Sequence, residues 1–186
     1  MKLIEVKKII EGNYLSFYNA KYLNEKNEIK IYEFVSRNKN LSIDNLISDK
    51  PSGVCMIIFN ETKTKLLLLK EFRLTVNEYV YNLPEGLIEK DETICEASKR
   101  ELEEETGLKL VSVDNVLPPS LAEEGITNDL LVYVYGIARG RIKMTSFSNE
   151  VIEPLWVSKE DALNLIKQNV LFSSRAEVVV NDFIKE

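Results

Sequence analysis

The chain has 186 residues, a formal net charge of −6 and no histidine. The absence of histidine excludes Ser-His-Asp triads, Cys-His dyads and His-ligated zinc, iron or haem. Its two cysteines, Cys55 and Cys95, are too few for a Cys-rich metal site or a disulfide framework, and they fit a reducing, cytoplasmic compartment. With 45% hydrophobic and 29% charged residues, the composition is that of an ordinary soluble globular protein. Charges interrupt the apolar residues of the N-terminus, which does not read as a signal peptide. No apolar run exceeds six residues, as in Val54 to Phe59, so no membrane span is expected.

Charge is unevenly distributed. Residues 1–50 carry nine Lys/Arg against seven Asp/Glu, whereas residues 51–186 carry fifteen against twenty-three. An acidic chain is a poor ligand for nucleic acid phosphates. Concentrated carboxylates instead suit hard divalent cations.

In chain order, residues 15–22 and 28–35 alternate apolar and polar side chains around the turn signal Asn24-Glu25-Lys26-Asn27, which predicts a hairpin. Pro51 and Gly53 punctuate a boundary near residue 50, giving an N-terminal β segment, 1–50, and a larger domain, 51–186. Residues 54–60 and 65–71 read as strands, the first apolar from Val54 to Phe59, as a strand buried on both faces is. A helix is expected over 93–106, with Thr93 and Glu96 as a capping box and Gly107 at the left-handed C-terminal position. Ile94, Ser98 and Leu102 form its packing face. Strands at 130–137 and 155–157 and helices at 159–168 and 176–184 complete the pattern. The elements lack a regular βαβ rhythm, which favours an α/β sandwich with a mixed sheet, preceded by a small antiparallel β domain.

The helix at 93–106 carries the chemistry. Glu101 and Glu105 lie four apart, one turn from each other on one face, and Glu104 flanks them. Like charges at this spacing repel, and a divalent cation removes that cost; all-oxygen donors suit magnesium, or manganese. Gly86, Glu92, Arg100, Glu101, Leu102, Glu104, Glu105, Gly107 and Leu108 fill every defined position of the Nudix box, and the chain resembles the Nudix hydrolases on that ground. The resemblance implies an α/β/α sandwich and cleavage of a nucleoside diphosphate linked to another moiety. It further implies Glu101 and Glu105 as main metal ligands, Glu104 as an additional one, and Glu92 as the residue that orients Arg100.

Outside the box, Lys70-Glu71-Phe72-Arg73, Leu83-Pro84-Glu85-Gly86 and Tyr32-Glu33-Phe34-Val35-Ser36-Arg37 are similar to the ADP-ribose pyrophosphatase branch. That likeness implies a phosphate contact from Arg73, a metal contact from the Glu85 carbonyl, adenine stacking by Tyr14 or Tyr32, and a nucleotide contact from Arg37. It also implies a homodimer that exchanges its N-terminal domains. Two positions depart from the branch. Glu124 stands where many ADP-ribose enzymes have proline, and Ser148 stands where one family pattern has a further acid. The base on the late loop is Glu150 in first place and Glu153 in second, with Glu104, Glu123 and Glu124 as further candidates. The expected reaction is magnesium-dependent cleavage of ADP-ribose to AMP and ribose 5-phosphate. The alternatives are hydrolysis of another ADP-sugar or a GDP-sugar, or an inactive nucleotide-sugar-binding regulator.

Overall fold

The computed structural model describes residues 1–144 and 151–185. Two units divide the chain.

The first unit comprises Met1–Ser52 and Pro119–Leu131. Its sheet is an antiparallel meander of β1 (Lys2–Glu11), β2 (Ser16–Leu23) and β3 (Ile29–Ser36). The β2–β3 hairpin is the expected one. Asn24 Oδ1 accepts from the backbone N–H groups of Lys26 and Glu28, both at 2.9 Å, and Asn27 takes the left-handed conformation at φ 60°. One face buries Tyr18, Ala20 and Phe34 with Leu3, Val6, Leu41 and Leu46 against them. The second segment joins this unit through Val35 N–H, which donates to the Ile126 carbonyl at 2.9 Å.

β1 is a strand the sequence pattern conceals. Its pairing with β2 shifts register between Leu3 and Glu5 and again between Lys8 and Ile10. Each bulge adds a residue and breaks the period-two alternation by which a strand is read.

The second unit comprises Gly53–Pro118 and Val132–Glu186. It is built on β4 (Gly53–Phe59), β5 (Lys65–Arg73), β6 (Glu78–Asn82), β7 (Glu85–Leu87), β8 (Lys109–Val116), β10 (Leu130–Arg139) and β11 (Ile152–Ser158). The mixed sheet runs β11-β5-β4-β10-β8, with β6 on β5 and β7 on β4; the short β9 (Ser120–Leu121) pairs with Leu130 and Leu131 within the first unit. Central β4 is buried on both faces, as its apolar run requires. Val54, Met56 and Ile58 point to one side and pack, with Leu67, against Ala97 and Leu102 of α1 (Ile94–Thr106). Cys55 and Ile57 point to the other and pack, with Leu66 and Leu68, against Ala162 of α2 (Lys159–Lys167) and Ala176, Val180 and Phe183 of α3 (Ser174–Lys185). The layers are therefore helix, sheet, helix.

β8 is a second concealed strand. It sits at the sheet edge, and its pairing with β10 shifts register at Tyr135/Gly136 and Ile137/Ala138. At Gly136 a Cβ would lie 2.5 Å from the Ser112 carbonyl oxygen, so this bulge needs glycine.

α1 has the expected ends. Thr93 Oγ1 accepts from Glu96 N–H at 3.3 Å, and Glu96 Oε2 accepts from Thr93 N–H at 2.9 Å. Gly107 closes the helix at φ 70°, its N–H donating to the Glu103 carbonyl. Burial of Leu102 alone contributes roughly 2 kcal/mol to docking α1 on the sheet. The helix that displays the box carboxylates is thus fixed at both ends and along one face.

Candidate active site

Three elements of the second unit assemble the site: α1, the short strand β7 and the end of β5. β7 pairs with β4, with Gly53 opposite Leu87, Val54 opposite Gly86 and Cys55 opposite Glu85. Alternation along a strand sends neighbouring side chains to opposite faces. Position 86 therefore faces α1, as Val54 does, and the Glu85 side chain faces α3, as Cys55 does.

Gly86 is required by Glu101. A Cβ at residue 86 would lie 1.9 Å from Glu101 Cδ, so the Glu101 carboxylate occupies the space left by the missing side chain.

Arg100 organises the box. Its Nε and Nη2 donate to the two Glu92 oxygens at 2.9 and 2.8 Å, a two-point grip. Nη2 also donates to the Leu87 carbonyl at 2.8 Å, and Nη1 to Glu101 at 2.7 Å and Glu104 at 3.3 Å. Glu92 Oε2 accepts from Glu89 N–H as well. The Arg100 hydrogen bonds, with that backbone donor, hold the Glu92 carboxyl below its usual range. Arg100 thus ties the loop before α1 to Glu101 and Glu104 on the helix.

Behind this arginine the carboxylates crowd. Burial first, then the nearby charges of Glu71, Glu101 and Glu85, pushes Glu105 well above the ordinary carboxylate range. Glu101 is raised by burial, against the opposing pull of Arg100. Glu71, only 5% exposed at the end of β5, is raised by burial and partly offset by Arg73, whose Nη1 donates to it at 3.0 Å.

Glu71 is a site residue that the sequence reading missed. It follows Leu67 and Leu69 on the face of β5 turned to α1, and an acid in such an inward series is the signal that finds it. Arg175, at the start of α3, was missed as well. Its Nη2 donates to Glu85 at 2.8 Å, while Asn82 donates to the other Glu85 oxygen at 3.0 Å. A cation in the first turn of a helix opposes the helix dipole, and that mismatch is the sequence signal for a partner.

The other expected residues fall as follows. Arg73 is half exposed at the end of β5, in its ion pair with Glu71. Glu104 is exposed. Glu153 lies on β11 and accepts from Lys70 at 3.2 Å. Glu150 lies outside the described residues. Tyr14, Tyr32 and Arg37 belong to the first unit. Tyr14 is 82% exposed in the β1–β2 turn, the Tyr32 hydroxyl donates to the Gly125 carbonyl at 2.9 Å, and Arg37 pairs with Asp129 at 3.2 Å. Glu123 and Glu124 are exposed beside Gly125 in the same unit.

The donor set fits a hard divalent cation. It is all oxygen, and two of its acids, Glu101 and Glu105, sit on one helical face, where burial first and then the charges of Glu71, Glu101 and Glu85 raise the Glu105 pKa. Among the described residues no three acids or thiols are already gathered around a common point, and Arg100 pairs with both Glu101 and Glu104. No described helix is long and apolar enough to cross a membrane.

Comparison with known proteins agrees with this geometry. The chain is 24% identical over 132 residues to a methanol dehydrogenase activator of Bacillus methanolicus, covering 69% of this chain and 70% of that one. It is 24% identical over 135 residues to an ADP-ribose pyrophosphatase of Bacillus subtilis (strain 168), covering 70% and 71%. The crystal structure of an ADP compounds hydrolase superposes with a TM-score of 0.67 at 15% identity, over 90% of this chain and 84% of the other, and so shares the fold. The NUDIX domain model matches residues 49–176, which span the box helix, Gly86, Glu71 and Arg175 alike. On these findings the chain belongs to the NUDIX domain family and is a Nudix hydrolase.

Proposed function

We propose that the protein is a magnesium-dependent pyrophosphohydrolase that cleaves ADP-ribose to AMP and ribose 5-phosphate. The observation that carries the reading is the acidic face of α1: burial first, then the charges of Glu71, Glu101 and Glu85, raises Glu105, and Glu101 fills the space over Gly86. Such a face is costly in the free protein and relieved by a bound cation. The names of the Bacillus subtilis relative and of the structural neighbour support a nucleoside diphosphate substrate.

In this reading Glu101 and Glu105, with Glu104 and the Glu85 carbonyl, hold magnesium, and manganese serves as its substitute. The metal, when bound, polarises the pyrophosphate and lowers the pKa of a coordinated water. The chain's own residues do the rest. Arg100 orients Glu101 and Glu104 through its grip on Glu92. Arg73, half exposed, offers its remaining donors to a substrate phosphate. Glu150 takes the proton of the attacking water, and Glu153 is the second choice. Tyr14, Tyr32 and Arg37 bind the nucleoside across a homodimer that exchanges its N-terminal segments, an arrangement with room for Tyr14 because that ring is exposed. The free cysteines fit a cytoplasmic setting.

The test is a panel of ADP-ribose, other ADP-sugars, GDP-sugars and dinucleotides, each incubated with magnesium and with products identified by mass. ADP-ribose should be the preferred substrate. Preference for a GDP-sugar would replace the base assignment, and binding without turnover of any member would replace the enzyme by a regulator.

A further inference from the structure

We infer that Arg175 is a positioning residue for the Glu85–Gly86 peptide, acting from the opposite face of the sheet through the Glu85 carboxylate. The inference rests on the proposed function, in which the Glu85 carbonyl contacts the metal and Gly86 makes room for Glu101.

Both oxygens of Glu85 are engaged. Oε2 accepts from Arg175 Nη2 at 2.8 Å and Oε1 from Asn82 Nδ2 at 3.0 Å. Asn82 is itself held, because its Oδ1 accepts from the Ser173 hydroxyl at 2.6 Å. The backbone closes the same circuit. Tyr81 N–H donates to the Leu171 carbonyl at 2.8 Å, and Ser173 N–H donates to the Tyr81 carbonyl at 2.9 Å. The segment leading into α3 is thereby stitched to β6, and the Glu85 side chain is gripped from both β6 and α3. β7 is only three residues long, so its ladder to β4 alone is a weak constraint on the peptide it presents. The grip on Glu85 supplies the second constraint.

Arg175 is three-quarters buried, and α3 packs beside it through Ala176 and Val180, so its own position is fixed by the core. The pairing also places a cation against Glu85, whose charge otherwise adds to the repulsion on Glu105. These two effects have opposite signs for metal binding. A counter-charge weakens cation affinity, so losing it tightens binding. A positioning group strengthens affinity, so losing it loosens binding.

The experiment measures manganese binding to the purified full-length chain by the paramagnetic resonance signal of the free ion, well below the melting temperature of each variant. Arg175→Gln should bind manganese about tenfold more weakly than wild type, the usual scale for a group that orients a metal ligand. Arg175→Lys, with one point charge in place of the fork, should fall between the two. Glu85→Ala/Arg175→Gln should bind no more weakly than Glu85→Ala alone, since Arg175 acts through Glu85. Equal or tighter binding by Arg175→Gln overturns the proposal, as does a double variant weaker than Glu85→Ala. Should Arg175→Gln fail to fold, Arg175→Lys decides: binding equal to wild type overturns the proposal. Wild-type protein that binds no manganese overturns the metal-dependent reading itself and this inference with it, whereas wild-type binding with an unaffected Arg175→Gln overturns this inference alone.

Discussion

The carboxylate of Glu101 stands where a side chain on residue 86 would be, 1.9 Å from the position of its Cβ. A strand glycine and a helical acid fifteen positions later therefore occupy one volume. Gly86→Ala should displace Glu101 and break its bond to Arg100, with a loss of turnover of roughly a hundredfold from an ångström-scale shift. The fold should survive, because position 86 lies outside the two core clusters of the sandwich. Steady-state kinetics and circular dichroism on the same sample check both statements.

Stability in chelator should depend on pH with a sign opposite to the usual carboxylate case. Glu105 has a pKa raised above its ordinary 4.5, so the native state binds its proton more tightly than the unfolded chain does. This contribution is full below 4.5 and is lost as pH rises through the raised value. The melting temperature of metal-free protein should therefore fall with rising pH in that window. Glu105→Gln should flatten the fall, and magnesium should reverse it in wild type. A wild-type melting temperature that climbs through the window, with the same slope in Glu105→Gln, contradicts the buried, acid-lined setting of Glu105.

The base is tested on the late loop. Glu150→Gln should depress kcat about a hundredfold or more with KM nearly unchanged, since the interaction lost belongs to the transition state. If Glu150 instead holds metal, added magnesium should recover part of the rate. Wild-type kinetics for Glu150→Gln with a crippled Glu153→Gln would move the base to Glu153, which already has Lys70 as partner. Wild-type kinetics for both would send the search to Glu104, Glu123 and Glu124.

If the proposed exchanged dimer forms, deletion of residues 1–50 should abolish it and most substrate affinity. It also removes β1, β2 and β3 and strands residues 119–131, whose Gly125 and Ile126 carbonyls accept from Tyr32 and Val35. Sedimentation and substrate titration of the full chain and the deletion check it. A full-length monomer with full activity would contradict the exchanged dimer.

Periodicity and fixed-register motifs made much of this molecule legible. The box helix, its cap at Thr93, its stop at Gly107 and the buried strand at Val54 to Phe59 all follow from local pattern. β1 and β8 stayed hidden because bulges interrupt their alternation. β6 and β7 stayed hidden for another reason: at five and three residues they are too short to carry a period. In the site, Arg100 and Glu92 were legible because their spacing belongs to the box. The partnership of Glu85 with Arg175 spans ninety positions and depends on two elements meeting in space, which no local pattern encodes.

The most direct test of the account is ADP-ribose hydrolysis by wild type and Glu105→Gln, with magnesium or with excess chelator, and with products resolved by mass. The account predicts AMP and ribose 5-phosphate from wild type with magnesium, no turnover in chelator, and a loss of about a hundredfold or more in the variant, because a charged ligand becomes neutral. Wild-type turnover that persists in excess chelator, or a variant as active as wild type, would contradict it.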